Sequence, residues 1–366
     1  MAAEPAALLQ LLWPLFSLFL LVWVTYWDAL HCKWGSDDWA GILFTDESRS
    51  QLYKGELRKP LTFHNLLRWA RWHIGKMPNP DKAWKKKNLP PFIPDPVRHH
   101  RLNIWLMCGV AGLLYMFLER VTGSTPLALF TTALVIVHPF TCQVVTWVSG
   151  IGYLLALSGV LLTLHLALAC VGVQGLGWGL LAMLAVGGMF LLSLYCMYAA
   201  VGMLAVLWPL GLGVFLPAAL VAAGIAFRDT MKGALDLRRK VFHEQAMKDS
   251  TMLHWGKLVV VLKTLAYYTY LTFWPKRLGL YHTFGYHYEM PYIEREDRWM
   301  WGGIAVLALL GVGLIVGPLP VRLGIAWYLG FLVLFLNWIT ANQFVSERYA
   351  WIPLVGPCIL VAWGCL

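Results

Sequence analysis

The sequence predicts an all-α polytopic membrane protein of about 10–11 membrane segments with one large hydrophilic loop near its start. Three observations carry this expectation. Hydrophobic residues fill 59% of the positions and the mean hydropathy is +0.62, well above the roughly 45–50% apolar content of soluble domains. Charged residues supply only 13%, too few to cover a soluble body of this length. The 20 Trp and 15 Tyr are types that collect at membrane–water interfaces.

The first apolar stretch, 8–26, is long enough to cross roughly 30 Å of hydrocarbon. It lacks a basic lead and a small-residue cleavage site, so a retained anchor helix is expected rather than a signal peptide. Further apolar stretches follow at 102–119, 126–142, 147–170, 177–195, 197–227, 257–274, 299–317, 321–340 and 349–366. The stretch 197–227 contains Pro209 and Pro217 and reads as two short spans. The stretch 257–274 carries Lys257 and Lys263. A lysine at mid-span costs about 2.5–3.5 kcal/mol on insertion scales, so a non-spanning helix is expected there. One membrane domain over 1–366 is predicted, with a first loop at 28–101 and a second loop region at 228–298 holding that non-spanning helix.

The formal net charge is +10, and the first loop holds fourteen Lys/Arg against eight Asp/Glu, a net of +6. Flanked by membrane, such a loop suits anionic lipid or a phosphorylated substrate better than nucleic acid. Its length frees it from the positive-inside rule, and an extracytoplasmic cap is expected. Within it, 61–74 places Leu66, Leu67, Ala70 and Ile74 near one side, with Trp69 and Trp72 three apart and Arg68 and Arg71 able to snorkel. A surface helix lying on the membrane follows from that spacing. Met77 to Pro96 is rich in Pro and Lys and reads as irregular. The seven cysteines show no CxxC and no paired framework, so neither a zinc site nor a disulfide scaffold is indicated.

Four short constellations carry the candidate chemistry. Asp37-Asp38 follows the first helix, flanked by Trp34 and Trp39, and one carboxylate there could serve as a base toward a hydroxyl. Taken alone the pair reads as a solvated acidic turn, and an Asp-Asp pair alone is a poor site for a divalent metal. His138-Pro139 leads into Trp147-Val148-Ser149-Gly150; by itself this reads as a helix boundary, since the residue before Pro leaves the α region. Tyr267-Tyr268, Trp274-Pro275, Tyr281 and His282 read alone as an interfacial aromatic belt. Ser346-Glu347-Arg348-Tyr349 lies between two late apolar stretches. The arginine's fork of donors matches phosphate oxygens, and a plain interfacial Glu–Arg pair is the competing reading.

In this order the motifs resemble the GT-C class of membrane glycosyltransferases, and within it the transmembrane-and-TPR O-mannosyltransferase family and its bacterial relatives. The resemblance rests on Asp37-Asp38-Trp39-Ala40-Gly41-Ile42, Lys59-Pro60-Leu61-Thr62, His99-His100-Arg101-Leu102-Asn103, His138-Pro139 with Trp147-Val148-Ser149-Gly150, Leu265-Ala266-Tyr267-Tyr268 through Trp274-Pro275 and Leu278, and Glu347-Arg348-Tyr349 with Pro353-Leu354-Val355-Gly356. It spans essentially the whole chain. The chain departs from the family where an acidic residue is usual and Gln143 stands, where Ile151 replaces an arginine, where Tyr153 replaces an acidic residue, and at Met197-Tyr198-Ala199, where a charge is usual. No TPR-like repeat is visible.

The resemblance implies a GT-C-like bundle with an extracytoplasmic first loop. It also implies transfer of a sugar such as mannose from a polyprenyl-phosphate carrier to an acceptor hydroxyl, protein Ser/Thr among the acceptors. On that footing Asp37 is the base and Asp38 its alternate or orienting partner, Arg348 takes the phosphate with Lys263 second, and Glu347, His138 and Tyr281 join the substrate-binding set. The partners implied are the lipid-phosphate sugar, an acceptor protein or glycan, membrane lipids and membrane-complex partners; no cofactor is indicated. The membrane is the cytoplasmic membrane in a bacterium and the endoplasmic reticulum in a eukaryote. The departures favour a rival, a catalytically degenerate relative serving as a scaffold or assembly subunit. A transporter is a weaker third class, because few intramembrane charges beyond Lys263 are present.

Overall fold

The computed structural model of the chain describes residues 5–33, 63–83, 92–228, 254–276, 297–336 and 345–366. Among these residues the protein is a helical bundle with one small β-pair. Helix α1 (Pro5–Tyr26) runs on as a 3-10 turn over Trp27–His31. Helix α2 (Phe63–Gly75) leads into β1 (Lys76–Pro78), which pairs antiparallel with β2 (Phe92–Pro94). Then come α3 (Pro96–Thr122), α4 (Thr125–Val137), α5 (Pro139–Thr146), α6 (Ile151–Cys170) and α7 (Leu176–Cys196). The later helices are α8 (Met203–Leu207), α9 (Leu216–Ala226), α10 (His254–Phe273), α11 (Asp297–Val316), α12 (Leu319–Leu332) and α13 (Glu347–Cys365).

Among the described residues six helices are long and apolar enough to cross a membrane, or seven if the bent pair α4–α5 forms one span. The protein is thus a multi-pass, membrane-embedded bundle. The remaining apolar stretches fold as four shorter helices, Tyr198–Leu207, Gly213–Ala226, Leu258–Phe273 and Leu319–Phe335. The expected 10–11 segments are therefore all helical where described, but several are too short to cross on length alone. The expected division of 197–227 in two is seen, with Gly211 at φ 68° in the intervening turn. The irregular stretch expected after Met77 is in part a strand pair, three residues on each side, in which Met77 faces Ile93. Proline lies at the end of each strand, where its missing N–H does least harm to the ladder.

Local chemistry sets the helix ends. Asp95 caps α3 by accepting from Val97 N at 3.0 Å, with Pro96 in the first turn, and α3 stops at Gly123 in the left-handed conformation. Ser124 caps α4 in the same way. The four positive-φ glycines, Gly123, Gly172, Gly175 and Gly211, turn the chain at one end of the bundle. The other end carries 3-10 turns at Trp27–His31, Val148–Gly150, Tyr198–Gly202 and Val333–Phe335. Contacts fix that second end: Trp23 packs edge-on against Trp105, the Tyr26 hydroxyl donates to the Ile136 carbonyl, and Phe335 stacks on Tyr349 with centroids 4.5 Å apart.

Close approach of backbones holds the bundle where apolar burial alone, against lipid of equal polarity, would not. Helices α12 and α13 meet at Gly324 and Gly356; a Cβ at Gly356 would sit 2.2 Å from the Gly324 carbonyl oxygen. Trp327 Nε1 donates to the Ile352 carbonyl across the same seam at 2.9 Å. Helix α11 stands at the periphery. Only 6% of its apolar window is buried, and Trp301, Leu309, Ile315 and Val316 face outward.

Candidate functional site

Several of the motifs picked out along the sequence meet at the first turn of α13. Glu347 and Arg348 open this helix and are 4% and 7% exposed. Arg348 N donates to Gln143 Oε1 of α5 at 2.9 Å. Three residues on, Trp351 Nε1 donates to Thr141 Oγ1, also on α5, at 3.0 Å. From α10, the Tyr268 hydroxyl accepts from Ser346 N at 3.2 Å. The start of α13 is therefore pinned by α5 on one side and α10 on the other. The helix needs such partners, because its first N–H groups have none of their own.

The Arg348 guanidinium lies over the Trp147 ring, 4.7 Å from its centroid, and 5.4 Å from that of Tyr349. Faces of this kind attract a cation without neutralising it. Tyr153 of α6 lies fully buried within electrostatic reach of Tyr349, Tyr198, Arg348 and Tyr268. Gln143 and Tyr153 thus both lie by Arg348, an amide and a phenol rather than charged groups.

Trp147 is itself held in place. Asn103 Nδ2 on α3 donates to the carbonyls of Val145 (3.2 Å) and Trp147 (3.1 Å), and Arg71 on α2 donates to the Val148 carbonyl. Arg71 therefore does not snorkel. It reaches inward and Trp72 is buried beside it, while Ile74, on the apolar side expected to lie on the membrane, is 54% exposed. A Cβ at Gly75 would meet the His99 ring at 1.6 Å, which shows how closely α2 rides on α3. His99, His100 and Asn103 are buried on one side of the first turns of α3, and Arg71 is within electrostatic reach of His99. Arg71, Asn103, Gln143 and Trp147 were absent from the site expected from sequence. One signal was available: a His-His-x-x-Asn spacing at the mouth of an apolar helix puts three polar side chains on one face.

The other expected site residues are placed as follows. His138 sits at the 64° bend between α4 and α5. Its Nδ1 accepts from Phe140 N at 3.2 Å and its Nε2 lies 2.9 Å from the Thr272 carbonyl, so the ring caps α5 and ties the bend to the end of α10. Both ring nitrogens are used within the protein, which is a joint rather than a substrate contact. Lys263 is 3% exposed on α10, inside the bundle rather than against lipid, among the buried Leu262 and Thr264. Asp37, Asp38 and Tyr281 lie outside the described residues, as does half of the first loop. Cys142 lies within electrostatic reach of both Cys32 and Glu347. The exit of α1, five residues before Asp37, is therefore at the same end as Arg348 whether or not α10 crosses the membrane. No group of His, Cys, Asp and Glu that could hold a metal ion occurs among the described residues. Comparison with known protein families, with curated proteins and with solved structures finds no match.

Proposed function

We propose that the protein is a GT-C-like glycosyltransferase that moves a sugar from a polyprenyl-phosphate carrier to an acceptor hydroxyl. The observation that carries this reading is the meeting of separate motifs at the buried start of α13: Gln143 and Trp147 from the α4–α6 connection on Arg348, Tyr268 from α10 on Ser346, and Cys142 between Glu347 and Cys32 at the exit of α1. A phosphate held by Arg348 is already a good leaving group. The chemistry then requires a base for the acceptor hydroxyl and a geometry that keeps the two in line. Asp37 is the base in this reading, Asp38 its alternate, and Lys263 and Glu347 bear on the charge around the phosphate. Apolar helix faces beside the site suit the polyprenyl tail, and membrane lipids are the surroundings from which it enters.

The scaffold reading draws support from Gln143 and Tyr153, neutral groups beside Arg348, and from His138, whose ring nitrogens are used internally. Transfer by the purified chain across a panel of polyprenyl-phosphate sugars separates the two. Asp37→Asn is expected to keep donor binding and lose transfer by about 10²–10⁴. Arg348→Ala is expected to lose both. A folded wild type that binds and transfers nothing across the panel would leave the scaffold as the better account. Full activity in both Asp37→Asn and Asp38→Asn would remove the carboxylates from the mechanism.

A further inference from the structure

We propose that Arg322 binds the phosphate of an anionic phospholipid, at the end of the bundle away from Arg348. This lipid site is independent of the function proposed above. Helix α12 runs antiparallel to α13: Trp327 meets Ile352, whereas Gly324 meets Gly356 and, further along α13, Leu360. The start of α12 therefore lies at the glycine-turn end, opposite the start of α13. Arg322 is the fourth residue of α12, in its first turn after Pro318.

Two other charged groups at this end are used within the protein. The Arg120 guanidinium donates to the His165 and Leu168 carbonyls, at 3.5 and 2.9 Å. The Glu119 carboxylate accepts from the Tyr115 and Thr125 hydroxyls, at 3.2 and 2.8 Å. Arg322 differs. It is half-buried, its Nε is enclosed without a hydrogen bond, and its guanidinium has no ion pair or aromatic face among the described residues. A positive charge one turn inside a membrane helix runs its stem along apolar surface and carries its head to the polar edge of the bilayer. The group waiting there is phosphate, whose oxygens match the arginine's fork of N–H donors.

The surroundings select a lipid rather than a soluble anion. Just before the turn into α12, Ile315 and Val316 of α11 are 79% and 75% exposed. On the face that carries Arg322, further along the same helix, Leu329 is half-buried and Val333 is 40% exposed. A phosphate on Arg322 thus leaves acyl chains lying along apolar surface toward the middle of the membrane. A zwitterionic headgroup brings its own ammonium to the phosphate, so an anionic headgroup is preferred.

The test uses the full chain in detergent, titrated separately with dioleoyl phosphatidylglycerol and dioleoyl phosphatidylcholine, with bound lipid counted by native mass spectrometry. Wild type is expected to prefer phosphatidylglycerol. Arg322→Gln should bind it about tenfold more weakly, a loss of the size of one charge-assisted contact, and so fall to the level of phosphatidylcholine. Arg322→Lys keeps the charge without the fork and should fall between wild type and Arg322→Gln; it carries the test if the glutamine protein does not fold. Arg120→Gln removes the same charge from the same end, but from a group already occupied, and should leave both lipids unchanged. Inorganic phosphate, added at constant ionic strength, should not displace phosphatidylglycerol. Wild-type affinity in the Arg322 variants overturns the proposal, as does a wild type with no preference between the lipids. An equal loss in Arg120→Gln would reveal diffuse surface charge instead, and displacement by inorganic phosphate would reveal a site for a soluble anion; either result also overturns it.

Discussion

Substituting Gly356 by alanine tests whether backbone contact, rather than apolar burial, fastens α13 to α12. A Cβ there would lie 2.2 Å from the Gly324 carbonyl oxygen and 2.7 Å from Tyr328 N, both backbone atoms that no rotamer change can move. To regain ordinary contact the helices must part by about 1 Å, and overpacking of that kind costs about 1–3 kcal/mol. Alanine's better helix propensity returns up to about 1 kcal/mol, so the net effect is destabilising. The separation also stretches the Trp327–Ile352 hydrogen bond and adds to the loss. Two controls bracket the result. At Gly324 the nearest obstacle is 2.9 Å away, so its alanine variant should suffer less; at Gly109 no heavy atom lies within 4 Å, so alanine should stabilise. Thermal unfolding in one detergent, followed by size-exclusion recovery, gives the order Gly109→Ala, wild type, Gly324→Ala, Gly356→Ala from most to least stable. A Gly356→Ala protein as stable as Gly109→Ala would refute the reasoning.

Three further outcomes are expected. Tyr268→Phe removes the acceptor for Ser346 N, and a buried unpaired N–H costs about 1–3 kcal/mol, so thermal stability should fall although packing volume is almost unchanged. Asn103→Leu should be still more harmful, because it removes one hydrogen bond from each of two carbonyls, that of Trp147 keeping Gly150 N, and loosens the turn that presents Trp147; a drop in stability together with faster proteolysis near 145–150 would show it, and an unchanged digest would not. In single-cysteine proteins, Cys32 and Cys365 should label with an impermeant maleimide from opposite sides of the membrane, since both are exposed and α13 alone separates Cys365 from the end that holds Cys32 and Glu347. Labelling from one side would show that α13 does not cross.

The helical, membrane-embedded character was legible because it is an averaged property: runs of apolar residues tell lipid from water whatever their partners are. Segment length was less legible. Stretches such as 197–227 and 321–340 are apolar enough to span, yet turns near Gly211 and Val333 break them into short pieces whose ends are set by contacts such as that of Gly202 against Phe331. The inward reach of Arg71 was hidden for a related reason. The helix spacing allowed it to snorkel, whereas Arg71 found a backbone acceptor on a turn some 77 positions away, which no local pattern encodes. At the candidate site, Arg348 and Glu347 stood out as charges in an apolar setting. Gln143 stood out only as a departure from an expected acid, and its role became visible through a hydrogen bond spanning 205 positions.

The irregular backbone gathered at one end of the bundle bears on how the protein sits in its bilayer. Among the described residues the glycine-turn end holds one 3-10 turn, Gly213–Phe215. At the other, four 3-10 turns and the bend at His138 gather irregular backbone in one place. Hydrocarbon cannot solvate loose amides, so such backbone must be enclosed by protein or wetted. Val148, Ala199 and Ala200 are buried, so protein encloses this backbone, and amide deuterium uptake around 148–150 and 199–202 should be slow. Rapid uptake there would show it wetted instead.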